Sequence, residues 1–426
     1  MIDAKLMEPL LFLAHRLPYP PDKGDKVRSF HFLAHLARRY RVFLGAFVDD
    51  PNDWQHVDAL RELCADVHAE ALRPRSQRIA SAVGFLSGEA LTLPYYRSRE
   101  LHRWVAEVTR RERIARSFAF SSPMAQYAFG RPGVRSFVDL VDMDSAKWAQ
   151  YGTRHRWPAS MVYRREADRL LAYERDIVAR AEAGIFVTRE ESRLFCDAAP
   201  ECADRVVTIG NGVDSEYFAP SPAFASPFAS GEKPIVFTGA MDYWPNIDAV
   251  SWFAHSALPE IRRREPSARL YVVGMNPATT VRALSGDPGV TVTGRVADVR
   301  PYLAHARVVV APLRVARGIQ NKVLEAMSMA KAVVVTPAVA AGLSARPGVE
   351  VEVASDAPEF AEKVLTLMDP QRASAMGSLA RSRMQSAYTW AANYELLDEL
   401  LDRDSAIARP PPRDLNAMPQ GTLAAD

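Results

Sequence analysis

The stretch PLRVARGIQNKVLEAMSMAKAVVVTP, from Pro312 to Pro337, gathers cations, a glycine and a carboxylate where a strand pattern gives way to a helical one. The apolar run RVVVAPL predicts a strand ending at Leu313, and a helix begins near Gly318 to Gln320. The first turn of a helix leaves backbone N–H groups unpaired and carries the positive end of the helix dipole. Arg314, Arg317 and Lys322 add three cations around that end, so a diphosphate is its natural occupant. Glu325, three residues after Lys322 and on the same helix face, is placed to accept hydrogen bonds from ribose hydroxyls. An ordinary basic helix cap is the plainer alternative. The coincidence of Gly318 and the cations with a strand-end loop favours the ligand.

A second cationic turn, RLPYPPDKGDKVRS, runs from Arg16 to Ser29 at the first strand-to-helix junction. Gly24 lets backbone pass close to the phosphates of a ligand. Lys23, Lys26 and Arg28 are candidates to neutralise a bound diphosphate, and the prolines stiffen the loop. The alternative is a solvent loop whose lysines touch nothing. In DLVDMDS (139–145), Asp142 and Asp144 form a D-x-D of the kind that can hold a divalent cation. With cations and a helix end already available, no metal is expected; either aspartate hydrogen-bonds the hydroxyls of a ligand, or caps the next helix. His15 ends the first strand and is a candidate acceptor contact; His31 and His35, four apart on a helix, do not by themselves make a metal site.

Alternating apolar strand runs and helical patterns must position these groups. Runs at 9–14, 41–47, 67–72, 116–122, 135–144, 184–188 and 205–214 alternate with helices, as parallel βαβ units do. After FAPSPAFASPFASGEKP (218–234), which reads as a linker, the alternation restarts at 235–240, 269–274, 290–294, 307–313 and 332–337. The expected fold is α/β: two Rossmann-like, doubly wound domains, residues 1–217 and 235–384, facing across a cleft, with the ligand beyond the carboxyl ends of the strands. A helix at 385–403 and a disordered tail at 404–426 complete it.

The chain has 426 residues, enough for two domains, with 48% hydrophobic and 24% charged residues. Three cysteines without Cys-x-x-Cys spacing argue against a zinc knuckle and for a reducing compartment. No signal-peptide pattern and no apolar run of about 20 residues appear, so a cytoplasmic location is expected. Net charge is only +2, yet residues 72–135 carry twelve Arg against four Glu, a local +8. That stretch reads as a solvated helical face or, more sharply, as a peripheral contact with anionic membrane on its inner face or with a phosphorylated acceptor. No nucleic-acid motif accompanies it.

The 312–337 segment resembles the donor-binding segment of the retaining GT-B glycosyltransferases of family 4, the "group 1" transferases. VVTIGNGVDSEYFAP (206–220), FTGAMDYWPNIDAVSWF (237–253) and RVADVRPYLAHARVVVAPL (295–313) resemble that family's other signatures. PYPPDKGDK and SSPMAQY (121–127) resemble a narrower subgroup, the sugar transferases of exopolysaccharide systems associated with exosortase/PEP-CTERM sorting. The resemblance implies a nucleotide-diphosphate-sugar co-substrate, no cofactor or metal, and a glycan or polyprenyl-linked acceptor. It implies that Lys322 binds the diphosphate and Glu325 the ribose, with Gly239 and Gly318 allowing close approach. Asn246 is a candidate donor contact or the cap of a helix at 246–253, and Ser121 and Ser122 fall on the acceptor side with Asp144. Two departures stand out. The GAMDYWPN loop lacks the family's usual Arg and Lys, and Arg317 replaces a Glu that contacts the donor sugar, leaving Arg314 or Arg317 to supply the missing charge. A nucleotide-sugar epimerase on the same fold and a non-catalytic glycan- or nucleotide-binding subunit are the competing readings.

Overall fold

The computed structural model describes residues 7–21, 24–72, 81, 85, 88–154, 156–316 and 318–403. Its strands fall into two sheets. The first holds β1 (Pro9–Ala14), β2 (Arg41–Val48), β3 (Asp66–Ala71), β4 (Arg116–Phe120), β5 (Arg135–Val141), β6 (Ala183–Phe186) and β7 (Val206–Thr208) in the order β3-β2-β1-β4-β5-β6-β7. Every neighbouring pair is parallel. The second holds β8 (Lys233–Thr238), β9 (Ala268–Val273), β10 (Val290–Gly294), β11 (Val308–Ala311), β12 (Val333–Val335) and β13 (Glu352–Val353) in the order β10-β9-β8-β11-β12-β13, again all parallel. Strands such as LLFLA in β1 and VVVA in β11 are buried along their whole length, as sheets covered by helices on both faces require. Strand order reverses between β1 and β4, and between β8 and β11, giving each sheet one switch point where a crevice opens at the carboxyl ends.

Residues up to Gly210, joined by those from Tyr394, form one compact unit; Asn211–Asn393 form the other. The division therefore precedes the expected boundary at 217. The 218–234 stretch is not a free linker, because Phe218, Phe224 and Phe228 pack against the second core and Arg381 donates to the Phe218 carbonyl at 3.2 Å. Three phenylalanines among prolines and serines anchor what composition alone reads as spacer.

Helices begin near their expected places, with one addition. An Asp144–Arg154 helix precedes the long Ala159–Arg180 helix. The last helix, Trp390–Asp402, docks its later residues on the first helix, Gly24–Leu36. The Tyr394 hydroxyl lies 3.0 Å from His31 Nδ1, and Asp398 lies 2.8 Å from His35 Nε2. His35 also stacks on Tyr394 with centroids 4.1 Å apart. The two histidines on that helix thus hold the C-terminal helix. The expected tail at 404–426 lies outside the described residues. All three cysteines are unpaired.

Candidate functional site

In the second unit the switch point is flanked by the loop after β8, carrying Gly239, and the loop after β11, carrying Arg314. The Asn321–Ser328 helix follows that second loop and buries Val323, Leu324, Ala326 and Met327 against the sheet. This fixes the opposite face, with Lys322 and Glu325, over the strand ends. Gln320 at the N-cap is extended and its side chain makes no capping bond to the helix N–H groups. An N-terminus of this kind is a ready anion site.

Lys322 Nζ donates to Asn246 Oδ1 at 2.6 Å, and Asn246 Nδ2 donates to the Ala240 carbonyl at 2.8 Å. The ammonium also lies 4.4 Å from the centroid of Phe237. Among the described residues it has no carboxylate within ion-pair distance. Burial pushes its pKa down to about 7 against the attraction of Glu325, and burial pushes Glu325 up to about 7 against the attraction of Lys322. A lysine held by a neutral amide and an aromatic face is poised to take an anion. Gly239 makes the close approach possible. Its φ is +152°, and a Cβ there would sit 2.8 Å from Lys322 Nζ and 2.9 Å from Asn246 Nδ2. Gly318, with φ +59°, packs its carbonyl against Gly342, where a Cβ would come within 2.4 Å.

Asn246 does not cap a helix. The helix starts two residues earlier, at Trp244, and Asn246 turns inward to bridge Lys322 and the Gly239 loop. Arg314 is engaged elsewhere: its guanidinium forms a two-pronged pair with Asp248, with Nε–Oδ2 at 3.0 Å. Asp248 therefore takes up the charge that the sequence assigned to a phosphate. Arg317 lies outside the described residues. Sequence reasoning gave no role to Asn211 of the NGVD motif. This buried residue donates from Nδ2 to Asn321 Oδ1 at 3.0 Å, steadying the first residue of the Lys322 helix.

In the first unit the cationic turn behaves differently from the expectation. Lys26 is fully buried and pairs with Asp53 at 2.5 Å. Arg28 is fully buried against Asp139, with Nε–Oδ2 at 2.8 Å and Nη2–Oδ1 at 3.2 Å, and donates to the Gly210 carbonyl at 2.9 Å. Neither is available to neutralise a leaving group; Asp53 and Asp139 engage them on different faces of the helix. Gly24 is the exposed first residue of its helix, and Lys23 lies outside the described residues.

At the carboxyl edge of this sheet, Asp25 gathers His15 Nε2 at 3.2 Å and Arg16 Nη1 at 2.8 Å, and Arg16 Nε lies 3.0 Å from Asp49. Burial alone would raise the Asp25 pKa, but the hydrogen bonds and charges of His15 and Arg16 hold it well below the usual carboxylate range. Asp142 and Asp144 both face Lys147, at 3.4 and 3.0 Å, so the D-x-D holds an ammonium. Among the described residues no three His, Cys, Asp or Glu side chains gather to hold a metal ion. Ser121 has a left-handed φ of +79°, and Ser122 is buried beside it. Among the described residues, His15 Nδ1, Asp49 Oδ1, Ser122 Oγ and Asp142 Oδ1 near these strand ends are buried without a hydrogen-bond partner. Asp49 cannot be read from the sequence because it joins Arg16 and Asp25 only through β1 and β2 being neighbours.

Comparison with known proteins bears on both units. Residues 232–370 match the family model described as "Glycosyl transferases group 1". No curated protein sequence matches significantly. Among solved structures, HepE of Anabaena in complex with UDP is 17% identical with a TM-score of 0.66, over 93% of this chain and 99% of that one. Sucrose-phosphate synthase from Thermosynechococcus elongatus is 16% identical with a TM-score of 0.68, over 92% and 98%. TarM is 11% identical with a TM-score of 0.61, over 94% and 100%. Two parallel-sheet α/β domains of GT-B type are thus the fold of the chain.

Proposed function

We propose that the chain is a glycosyltransferase that moves a sugar from a nucleotide-diphosphate donor to a glycan or polyprenyl-linked acceptor. The observation that carries this reading is Lys322: a partly desolvated ammonium with only a neutral partner, beside an uncapped helix N-terminus and a glycine that keeps the space open. The pyrophosphate occupies that place, and Glu325 takes the ribose hydroxyls. The match of residues 232–370 to a glycosyltransferase model supports the assignment. The UDP complex of the HepE structure makes a UDP-sugar the first donor to try.

Retention, which the resemblance to family 4 implies, requires no strong protein nucleophile. The bond from the anomeric carbon to the phosphate oxygen breaks, and the acceptor oxygen bonds to that carbon on the same face. The departing phosphate oxygen takes the acceptor's proton. Catalysis then rests on charge stabilisation and positioning, supplied by Lys322 and the helix end without a metal. The acceptor is assigned to the carboxyl edge of the first sheet, where His15, Ser122 and Asp142 carry unpaired polar atoms. A role in exopolysaccharide synthesis follows from the PYPPDKGDK and SSPMAQY resemblance, and a cytoplasmic place from the nucleotide-sugar supply that such a donor requires.

A thermal-shift panel of UDP-, GDP-, ADP- and dTDP-sugars tests the reading, since a ligand bound only by the native state raises the unfolding midpoint with occupancy. One donor should stabilise the wild type and fail to stabilise Lys322→Ala. Stabilisation by no donor, or equal stabilisation of the variant, counts against it. Conversion of the donor without any acceptor would instead favour an epimerase.

A further inference from the structure

We propose that the tip of the helical hairpin built from Asp144–Arg154 and Ala159–Arg180 is an interfacial membrane anchor that lays Trp157 and Met161 into the headgroup region of an anionic bilayer. This inference stands apart from the sugar-transfer reading, because it uses no residue of the donor site.

Trp157 is 78% exposed and Met161 59%, the two most exposed large apolar side chains among the described residues. Trp157 immediately precedes the N-cap Pro158 of the long helix, and Met161 lies in its first turn. Scattered surface apolar residues need no explanation, but these two sit together at the end of a stiffened prong. Behind the tip, Trp148, Tyr151 and Tyr163 form a closed aromatic group with centroids 5.5 to 6.2 Å apart. Gly152 lets the two helices touch: a Cβ there would sit 3.0 Å from Arg164 Cγ and 3.4 Å from the Arg164 backbone nitrogen. Phe85, itself 47% exposed, lies beneath the Arg165 guanidinium at 4.8 Å and adds to the apolar end.

Charge selects the partner. Residues 145–165 contain no Asp or Glu and five cations, of which Lys147 is paired with Asp142 and Asp144, leaving Arg154, Arg156, Arg164 and Arg165. Arg156 and Arg164 are exposed beside Trp157 and Met161. The first carboxylate after this stretch, Glu166, is buried and accepts from the backbone N–H groups of Leu91 and Thr92 at 2.6 and 2.9 Å, so it does not offset the tip. A tryptophan and a methionine ringed by arginines match an interface with anionic headgroups. A second copy would bring the same positive tip against itself. Among the described residues no helix is long and apolar enough to cross a bilayer, so the contact is interfacial.

The test is sedimentation of the full chain with large unilamellar vesicles of phosphatidylcholine alone and with phosphatidylglycerol added. Arg156 and Arg164 at the surface should favour the anionic vesicles by on the order of thirtyfold at low salt, and salt should weaken the binding. The Trp157→Ala, Met161→Ala double variant should lose tenfold or more of that affinity while keeping the wild-type unfolding midpoint. Should that variant unfold, Trp157→Phe with brominated lipid serves instead: wild-type fluorescence should be quenched and the variant's quenching reduced. No binding to anionic vesicles would overturn the proposal. So would unchanged binding in the double variant alongside loss in Arg156→Glu, Arg164→Glu, which would reduce the contact to diffuse attraction. A concentration-dependent dimer abolished by Trp157→Ala would assign the tip to a second copy and overturn it too.

Discussion

Lys322 and Glu325 lie one helical turn apart, half-buried on a single helix, and burial moves the titration of both toward neutrality. Burial acts on them in opposite directions, lowering the lysine and raising the glutamate, and their mutual attraction only partly restores the charged forms. A bound diphosphate changes that balance. It stabilises the ammonium and disfavours the carboxylate's charge, so both groups hold protons more tightly in the complex.

Donor binding should therefore take up protons. Above pH 7 the unliganded Lys322 is largely neutral, and an anion can be held there by charge only after protonation. Binding is expected to weaken as pH rises from about 7 to 9, with uptake of about one proton per site near pH 8. Calorimetry in buffers of different ionisation enthalpy measures this directly. Proton release, or no dependence on buffer, would show that the lysine is not the group the diphosphate meets.

Removing the ammonium should cost far more than truncating its neighbours. Lys322→Ala is expected to lower kcat/KM by about a thousandfold, the scale of losing one preorganised charge at a leaving group. Arg314→Ala should lower it by tenfold or less, since Arg314 is committed to Asp248. Gly239→Ala should resemble the lysine variant, because its Cβ would enter the space held by Lys322 Nζ and Asn246 Nδ2. Steady-state kinetics of the three variants gives the order, and equal losses at Arg314 and Lys322 would contradict it.

Arg28 and Asp139 offer a test away from the donor. Both are fully buried and doubly hydrogen-bonded. Removing one partner leaves a desolvated charge, a loss of about 3–5 kcal/mol. Arg28→Met should destabilise the first unit by that amount, and Arg28→Met with Asp139→Leu by distinctly less. Denaturant unfolding followed by a probe in residues 1–210 distinguishes them; additive losses would mean that the pair is not coupled.

This pair also shows where the sequence stops being informative. The strand-helix alternation and the placing of Lys322 and Glu325 at a strand edge follow from apolar periodicity and glycine position, whereas the place of Gly239 is implied by the family resemblance. Inward or outward orientation of Lys26 and Arg28 does not. It depends on Asp53 and Asp139, distant in sequence and brought close only by strand order. The same holds for Arg314, whose carboxylate partner sits 66 residues away, and for Asn211, whose partner Asn321 is 110 residues on. Local spacing identifies a cationic turn, whereas the topology decides which of its charges remain for a ligand.

Glu174 carries the last prediction. It is fully buried on the Ala159–Arg180 helix and accepts from Ser145 Oγ at 2.5 Å and from the Ser145 backbone N–H at 3.1 Å. Burial, reinforced by Asp144 and opposed by the Ser145 bonds, pushes its pKa up to about 8. A carboxyl whose folded pKa lies above its unfolded value binds more protons when native. Its contribution to stability is therefore present at low pH and is lost as pH rises between about 4.5 and 8. Glu174→Gln keeps the shape, can still accept from the Ser145 N–H and removes the titration. The variant should match wild type within about 1 kcal/mol at pH 5 and exceed it by on the order of 2–4 kcal/mol at pH 8.5. Unfolding midpoints across that range check the sign: parallel pH profiles for the two proteins would mean that Glu174 is charged in the fold, with Ser145 and Lys147 sufficient to keep it so.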